Sequence, residues 1–194
     1  MRKSLLILLC LSMSYFLMAE ETVKQKEIGL VSSNFDDFGL TFKTGTGKAL
    51  WRFNTLIFSG SNSENINSGF FTTQSALNFG AKVGREYRRY LTDNLELRYG
   101  ADISFSYSHS KNESDQNNAL AKINLYSPGV NLVFGFNYIL NDNFLIGVEL
   151  LPYINYTNTV STQSNSSNEQ KIETSAFNYG LSNKSVLFSL AYRF

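Results

Sequence analysis

The chain has 194 residues, enough for one domain and too few for a second of ordinary size. Charged residues make up 17% and aromatic residues 14% of it, against about 25% charged in ordinary soluble domains, so a normally solvated surface is excluded. The formal net charge is only +1, and with no basic stripe along the chain nucleic acid is excluded as a partner.

Residues 1–19 read as a secretory signal: Met1-Arg-Lys-Ser4, an apolar run from Leu5 to Met18, then Ala19 ahead of Glu20 and Glu21. The run is about 14 residues long, short of the roughly 20 that a spanning helix needs, so cleavage after Ala19 is expected. Cys10, the single cysteine, lies inside this run behind Leu9 rather than behind a small residue, which makes it a poor lipid-attachment site. The mature chain then has no thiol for a disulfide or a metal. It also loses Arg2 and Lys3 and no acid, leaving a net charge of about −1. Residues 20–27 read as a short linker and 28–194 as the folded domain.

No later stretch is apolar over 18 residues, so any membrane span must be built from strands. Leu95, Leu97, Tyr99, Ala101, Ile103, Phe105 and Tyr107 alternate with Glu96, Arg98, Gly100, Asp102, Ser104 and Ser106. Seven consecutive matches to a period of two make a strand. The pattern recurs at Leu77 to Val83, Val130 to Tyr138, Phe144 to Leu150 and Val186 to Phe194. In chain order the predicted strands are 27–33, 38–44, 49–58, 74–91, 95–109, 123–140, 144–156 and 175–194. The parity of the last one changes near Ser182 to Ser185, where a β-bulge would restore the face.

Gly45 to Lys48, Thr92 to Asn94 and Asn141 to Asn143 punctuate these runs as short turns, and Asn34 to Asp37 joins the first two strands at the opposite end. Three long polar stretches, 59–73, 108–122 and 157–174, lie on the other side. Short turns at one end and long loops at the other describe an all-β, antiparallel, up-and-down transmembrane barrel of about eight strands. A secreted lipocalin shares the alternation with its faces reversed. Its outer face would need dense Lys and Glu, whereas the polar face here is mainly Gly, Ser, Asn and Thr.

The sparse charges of that face, Arg52, Lys82, Glu86, Arg88, Glu96, Arg98, Asp102, Glu149 and Arg193, are near balance and are expected to form a polar network that packs the lumen. Arg85 shares parity with Phe79 and Val83, so it faces lipid unless a bulge intervenes or its head snorkels to the interface. Trp51, Tyr90, Phe144, Tyr192 and Phe194 fall near the short turns, and Tyr107, Tyr126 and Tyr156 near the long loops, as two interfacial girdles would.

The ending, Ser185 to Phe194, resembles the C-terminal assembly signal of bacterial outer-membrane proteins, with Phe188, Leu190, Tyr192 and Phe194 as its apolar and aromatic positions. Residues 35–42, 94–102 and 128–135 resemble the outer-membrane β-barrel-domain family of Bacteroidetes type, over roughly residues 28–194. That family is similar to small OmpA/OmpX-type barrels. The resemblance implies a cell-surface protein exported through the periplasm to the outer membrane, with its lipids, lipopolysaccharide and the barrel-assembly machinery as partners. A host or envelope surface is the further partner expected at the loops.

Chemistry is sparse. His109, the single histidine, stands near Ser108, Ser110 and Asp115, a setting from which a lipid-modifying enzyme can be imagined. Gly45-Thr-Gly-Lys48 fails the phosphate-loop pattern, because Phe42 stands where the first Gly is required and Ala49 follows the Lys. No metal or cofactor site is expected. An eight-strand barrel is just wide enough for its own side chains, so the expected function is non-enzymatic, structural or surface-binding through the loops. A lipid-modifying enzyme and a narrow conduit for small solutes are the alternatives.

Overall fold

The computed structural model describes residues 24–33, 38–67, 70–115, 119–165, 168–181 and 185–194. The expected signal (1–19), the turn at 34–37 and residues 182–184 lie outside the described residues.

The strands are β1 (Lys24–Ser32), β2 (Phe38–Thr46), β3 (Ala49–Asn67), β4 (Phe70–Thr92), β5 (Leu95–Ser114), β6 (Ala119–Ile139), β7 (Phe144–Leu150), β8 (Tyr153–Ser164), β9 (Glu169–Gly180) and β10 (Val186–Arg193). Each pairs antiparallel with its neighbours, and the pairings of β5 with β6 and of β1 with β10 close the sheet. β7 and β8 run along β6 in one unbroken register, Phe134 opposite Leu150 and Asn131 opposite Tyr153. Pro152 interrupts them because it has no N–H to give to the ladder. Its carbonyl still accepts from the Leu132 amide at 2.9 Å. Counted as one wall element, β7 with β8, and likewise β9 with β10, the ring has eight members.

The fold is thus the antiparallel barrel that the alternation predicts. Between Gly180, opposite Tyr153, and Val186, opposite Leu150, the chain has five residues in the last wall element and two in its neighbour. An odd excess reverses parity, so Phe177 and Tyr179 share the outer face with Phe188 and Leu190.

Strand lengths differ from the expectation in two respects. The three polar stretches at 59–73, 108–122 and 157–174 are paired almost to their tips, as in Ser63 opposite Gln74, Asn112 opposite Ala121 and Gln163 opposite Gln170. Beyond the apolar belt both faces of a hairpin meet water, so alternation vanishes while the backbone ladder continues. The expected linker is strand from Lys24 onward, with Glu27 opposite Lys43 and Arg193. Lys24 and Lys26 point outward at the short-turn rim, where no lipid-facing residue is needed, and this hides the pattern.

The burial pattern is inverted relative to a soluble domain. Arg52, Arg98, Glu27, Glu86, Glu96 and Asp102 are among the most buried side chains, while Leu132, Phe134, Phe136, Ile146, Phe188 and Leu190 are exposed. So large an exposed apolar surface calls for a non-aqueous neighbour. Aromatic pairs mark both rims of this belt: Phe144 with Tyr192 at 5.2 Å near the short turns, and Tyr107 with Tyr126 and Tyr156 with Phe177, each at 5.1 Å, toward the hairpins. Arg85 stays on the outer face with no bulge. Its guanidinium lies over the Trp51 ring at 5.2 Å, near the short-turn end.

Candidate functional site

The inner face of the short-turn half is an ion network assembled by strand register. Arg52 on β3 reaches across the lumen to Glu149 on β7 in a two-pronged pair (Nη2 to Oε1 2.7 Å, Nη1 to Oε2 3.0 Å). The same side chain donates to Glu86 on β4 at 3.0 Å and sets its Nε 3.2 Å from Asp102 on β5. Arg98 joins from the other side, 3.0 Å from Glu149. Closer to the short turns, Arg88 forks onto both oxygens of Glu27 at 2.6 Å, and Arg193 bridges Glu27 and Glu96 at 2.9 and 2.8 Å. Glu86 links the two halves, accepting from Arg88 Nε at 2.7 Å on one oxygen and from Lys43 Nζ at 2.9 Å on the other.

Five cations (Lys43, Arg52, Arg88, Arg98, Arg193) thus meet five carboxylates (Glu27, Glu86, Glu96, Asp102, Glu149). Charges withdrawn from water this far are tolerable only when paired and hydrogen-bonded, and planar guanidinium forks supply both. The space left inside the network is about 10 Å³, room for one water molecule at most. Lumen-facing glycine makes the fit possible: a Cβ at Gly147 would stand 2.6 Å from Asn137 Oδ1 and 3.3 Å from Arg98 Nη2.

Of the nine charges singled out in the sequence, eight come together in this network. Lys82 does not: it faces inward at a higher level, and its ammonium has no ion pair among the described residues. Glu27 and Lys43 belong to the network although the sequence reading omits them, as does Asn137, which donates to Glu96 at 3.0 Å. Parity is the signal that finds Lys43, because Phe38, Leu40 and Phe42 define the outer face of β2. Glu27 stands at the seam between the stretch that reads as linker and the first predicted strand, where no preceding residue fixes its face. The lumen also holds apolar side chains, Val133, Leu151 and Leu187, packed together, with Leu187 opposite Glu149.

His109 is on the outer face of β5, and its Nδ1 lies 2.8 Å from Asn124 Oδ1, an oxygen that also accepts from the Tyr107 hydroxyl at 3.1 Å. Among the described residues, neither a carboxylate nor a serine hydroxyl is placed to activate or be activated by it. Among the same residues no group of His, Cys, Asp and Glu is arranged to hold a metal ion. The C-terminal residues Phe188, Leu190 and Tyr192 lie on the outer face of β10, between β1 and β7. Phe194 closes the ring through backbone bonds with Lys26 in both directions, 2.9 and 3.0 Å.

A family model for OmpA-OmpF-like porins matches residues 64–194, which is most of the chain. The chain belongs to the OmpA-OmpF-like porin family. Membership places this porin-like barrel in the outer membrane, so the short turns are periplasmic and the long hairpins extracellular. Among solved structures, the chain is similar to a major outer membrane protein from Thermus thermophilus, with a TM-score of 0.54 at 13% identity, covering 89% of this chain and 100% of that one. That likeness is one of fold. CarO from Acinetobacter baumannii is also matched, at a TM-score of 0.37 and 10% identity, over 88% of this chain and 96% of that one. No curated protein matches the chain.

Proposed function

We propose that this porin-family barrel does not conduct solutes and works as a structural or surface-binding protein of the outer membrane, without enzymatic activity. The observation that carries the reading is the filled periplasmic half of the lumen, where the paired charges leave about 10 Å³. Side chains locked by several partners each have no room in which to part for a solute. The extracellular hairpins supply the contact surface. Their tips on the β5–β6 and β8–β9 sides border a cleft of about 460 Å³, with Asn112, Ser114, Gln163 and Gln170 in its walls beside Ala119, Leu120 and Ala121. Hydrogen-bonding side chains beside small apolar ones suit a host or envelope surface or lipopolysaccharide headgroups.

Under the same reading residues 1–19 are removed on export. Phe188, Leu190, Tyr192 and Phe194 are what the assembly machinery grips, because the last strand is the one that must find β1 to close the ring. Planar-bilayer recording tests the central claim. Purified protein should give no stable conductance step, and a reproducible open channel in the unmodified protein would overturn it. The narrow-conduit reading would then take its place.

A further inference from the structure

The lumen is not filled to its extracellular end. On the hairpin side of the ion network lies a cavity of about 320 Å³, with Lys82, Asn131, Tyr153, Asn155 and Asn178 in its wall. Register builds it from the sheet itself. Asp102 opposes Asn131, Asn131 opposes Tyr153, and Gly84 opposes Asp102, which leaves Lys82 the diagonal neighbour of Asp102 on the inner face. Gly129 keeps the wall thin there, since a Cβ on it would stand 2.8 Å from Asn155 Cβ and 3.0 Å from Ser104 Oγ.

Several polar groups at this cavity are unpaired. Asn131 is 6% exposed, yet its Nδ2 donates to nothing, and Asn155 Oδ1 accepts from nothing. Lys82 has no carboxylate within ion-pair distance among the described residues. Because the network beneath it balances five cations with five anions, the Lys82 charge is surplus. Asp102, 1% exposed, has an ion partner in Arg52 Nε, but neither of its oxygens accepts a hydrogen bond. Buried donors and acceptors left unmade carry a desolvation penalty, and native structures rarely leave several together. A ligand that completes those of Asn131 and Asn155 relieves it there.

We propose that this cavity binds a small monocarboxylate that carries a hydrogen-bond donor on the neighbouring carbon, as a 2-hydroxy acid or an amino acid does. The carboxylate pairs with the Lys82 ammonium and accepts from Asn131 Nδ2. The neighbouring hydroxyl or ammonium donates to Asn155 Oδ1. A second carboxylate on the solute would find no second cation in the wall, where Lys82 is the one charged residue among the described residues, so diacids are disfavoured by its uncompensated desolvation. The cavity volume is at the small end of ligand sites. Capture in a cup closed beneath by the ion network requires no passage through the barrel, so the site stands whether or not the protein conducts.

The test is calorimetric titration of the purified full chain in detergent with L-lactate, propionate and L-malate. L-Lactate should bind saturably and about tenfold more tightly than propionate, which lacks the donor, or malate, which adds a carboxylate. Lys82→Met should abolish the binding. Asn155→Leu should make lactate and propionate equal, and heat-modifiable gel migration shows that each variant folds. Equal affinity of the unmodified protein for lactate and propionate, absence of saturable heat with lactate, or unchanged binding in folded Lys82→Met would each overturn the proposal. The comparison of the three solutes on the unmodified chain decides it even if a variant fails to fold.

Discussion

Arg52 touches three carboxylates, Glu86, Asp102 and Glu149, with one side chain. Replacing it with Met removes the partner while leaving those acids buried, and breaking a buried pair in this way costs about 3–5 kcal/mol. Urea unfolding of Arg52→Met, followed by heat-modifiable migration, should show that loss. Arg52→Lys should recover only part of it, because an ammonium is a point charge and cannot fork onto Glu149 while also meeting Glu86. A steric test is available at Gly147. Gly147→Val forces side-chain atoms into the space held by Asn137 and Arg98, and overpacking of this kind costs about 1–3 kcal/mol; a variant as stable as the parent in the same urea assay would contradict the tight lumen. At this scale the sequence is legible where parity is clean. Arg52, Glu86, Arg88, Glu96 and Arg98 are all assigned inward by their apolar neighbours. It is not legible at Glu27, where Lys24 and Lys26 on the outer side erase the contrast between faces.

At the scale of elements, the outer face of β6 is the simplest to test. Leu132 sits midway along its lipid-facing row from Tyr138 to Tyr126. Leu132→Arg should destabilise the folded barrel by about 2–4 kcal/mol in lipid vesicles, the cost of a cation at the bilayer midplane. Thr162→Arg, on the extracellular part of β8, should stay within about 0.5 kcal/mol. Similar losses at the two sites would remove Leu132 from the membrane. The final strand makes a different demand. Phe194 exchanges backbone bonds with Lys26 and stacks against Tyr192 at 6.2 Å, so deleting it weakens ring closure as well as the assembly signal proposed for it. The expected outcome is a marked fall in the heat-modifiable, membrane-integrated fraction in cells, read by gel migration of outer-membrane fractions. The hairpins show the limit of pattern reading for elements. Residues 59–73 look like loop because Ser, Asn and Gln face water on both sides, yet Ser63 still pairs with Gln74 and Asn62 with Ser75. Hydrophobic periodicity reports an environment that differs between two faces, and a strand wet on both carries no such signal.

Across the whole molecule, an apolar exterior surrounds a charged lumen, closed in its periplasmic half and cupped toward the outside. The proposed absence of conductance rests on the closed half and the proposed solute capture on the cup, so the two can fail separately. The sequence by itself determined the fold class, the inward and outward faces of most strands and the parity change before the last strand, because each depends only on a local alternation between lipid and lumen. Only the tertiary structure decided how the charges combine. That Arg52 meets Glu149 across 97 positions of chain, that Glu86 joins two clusters, and that Lys82 is left over beside unpaired amides all depend on which strands become opposite walls of the barrel. Ring closure and register set those distances, and neither is encoded within any single strand.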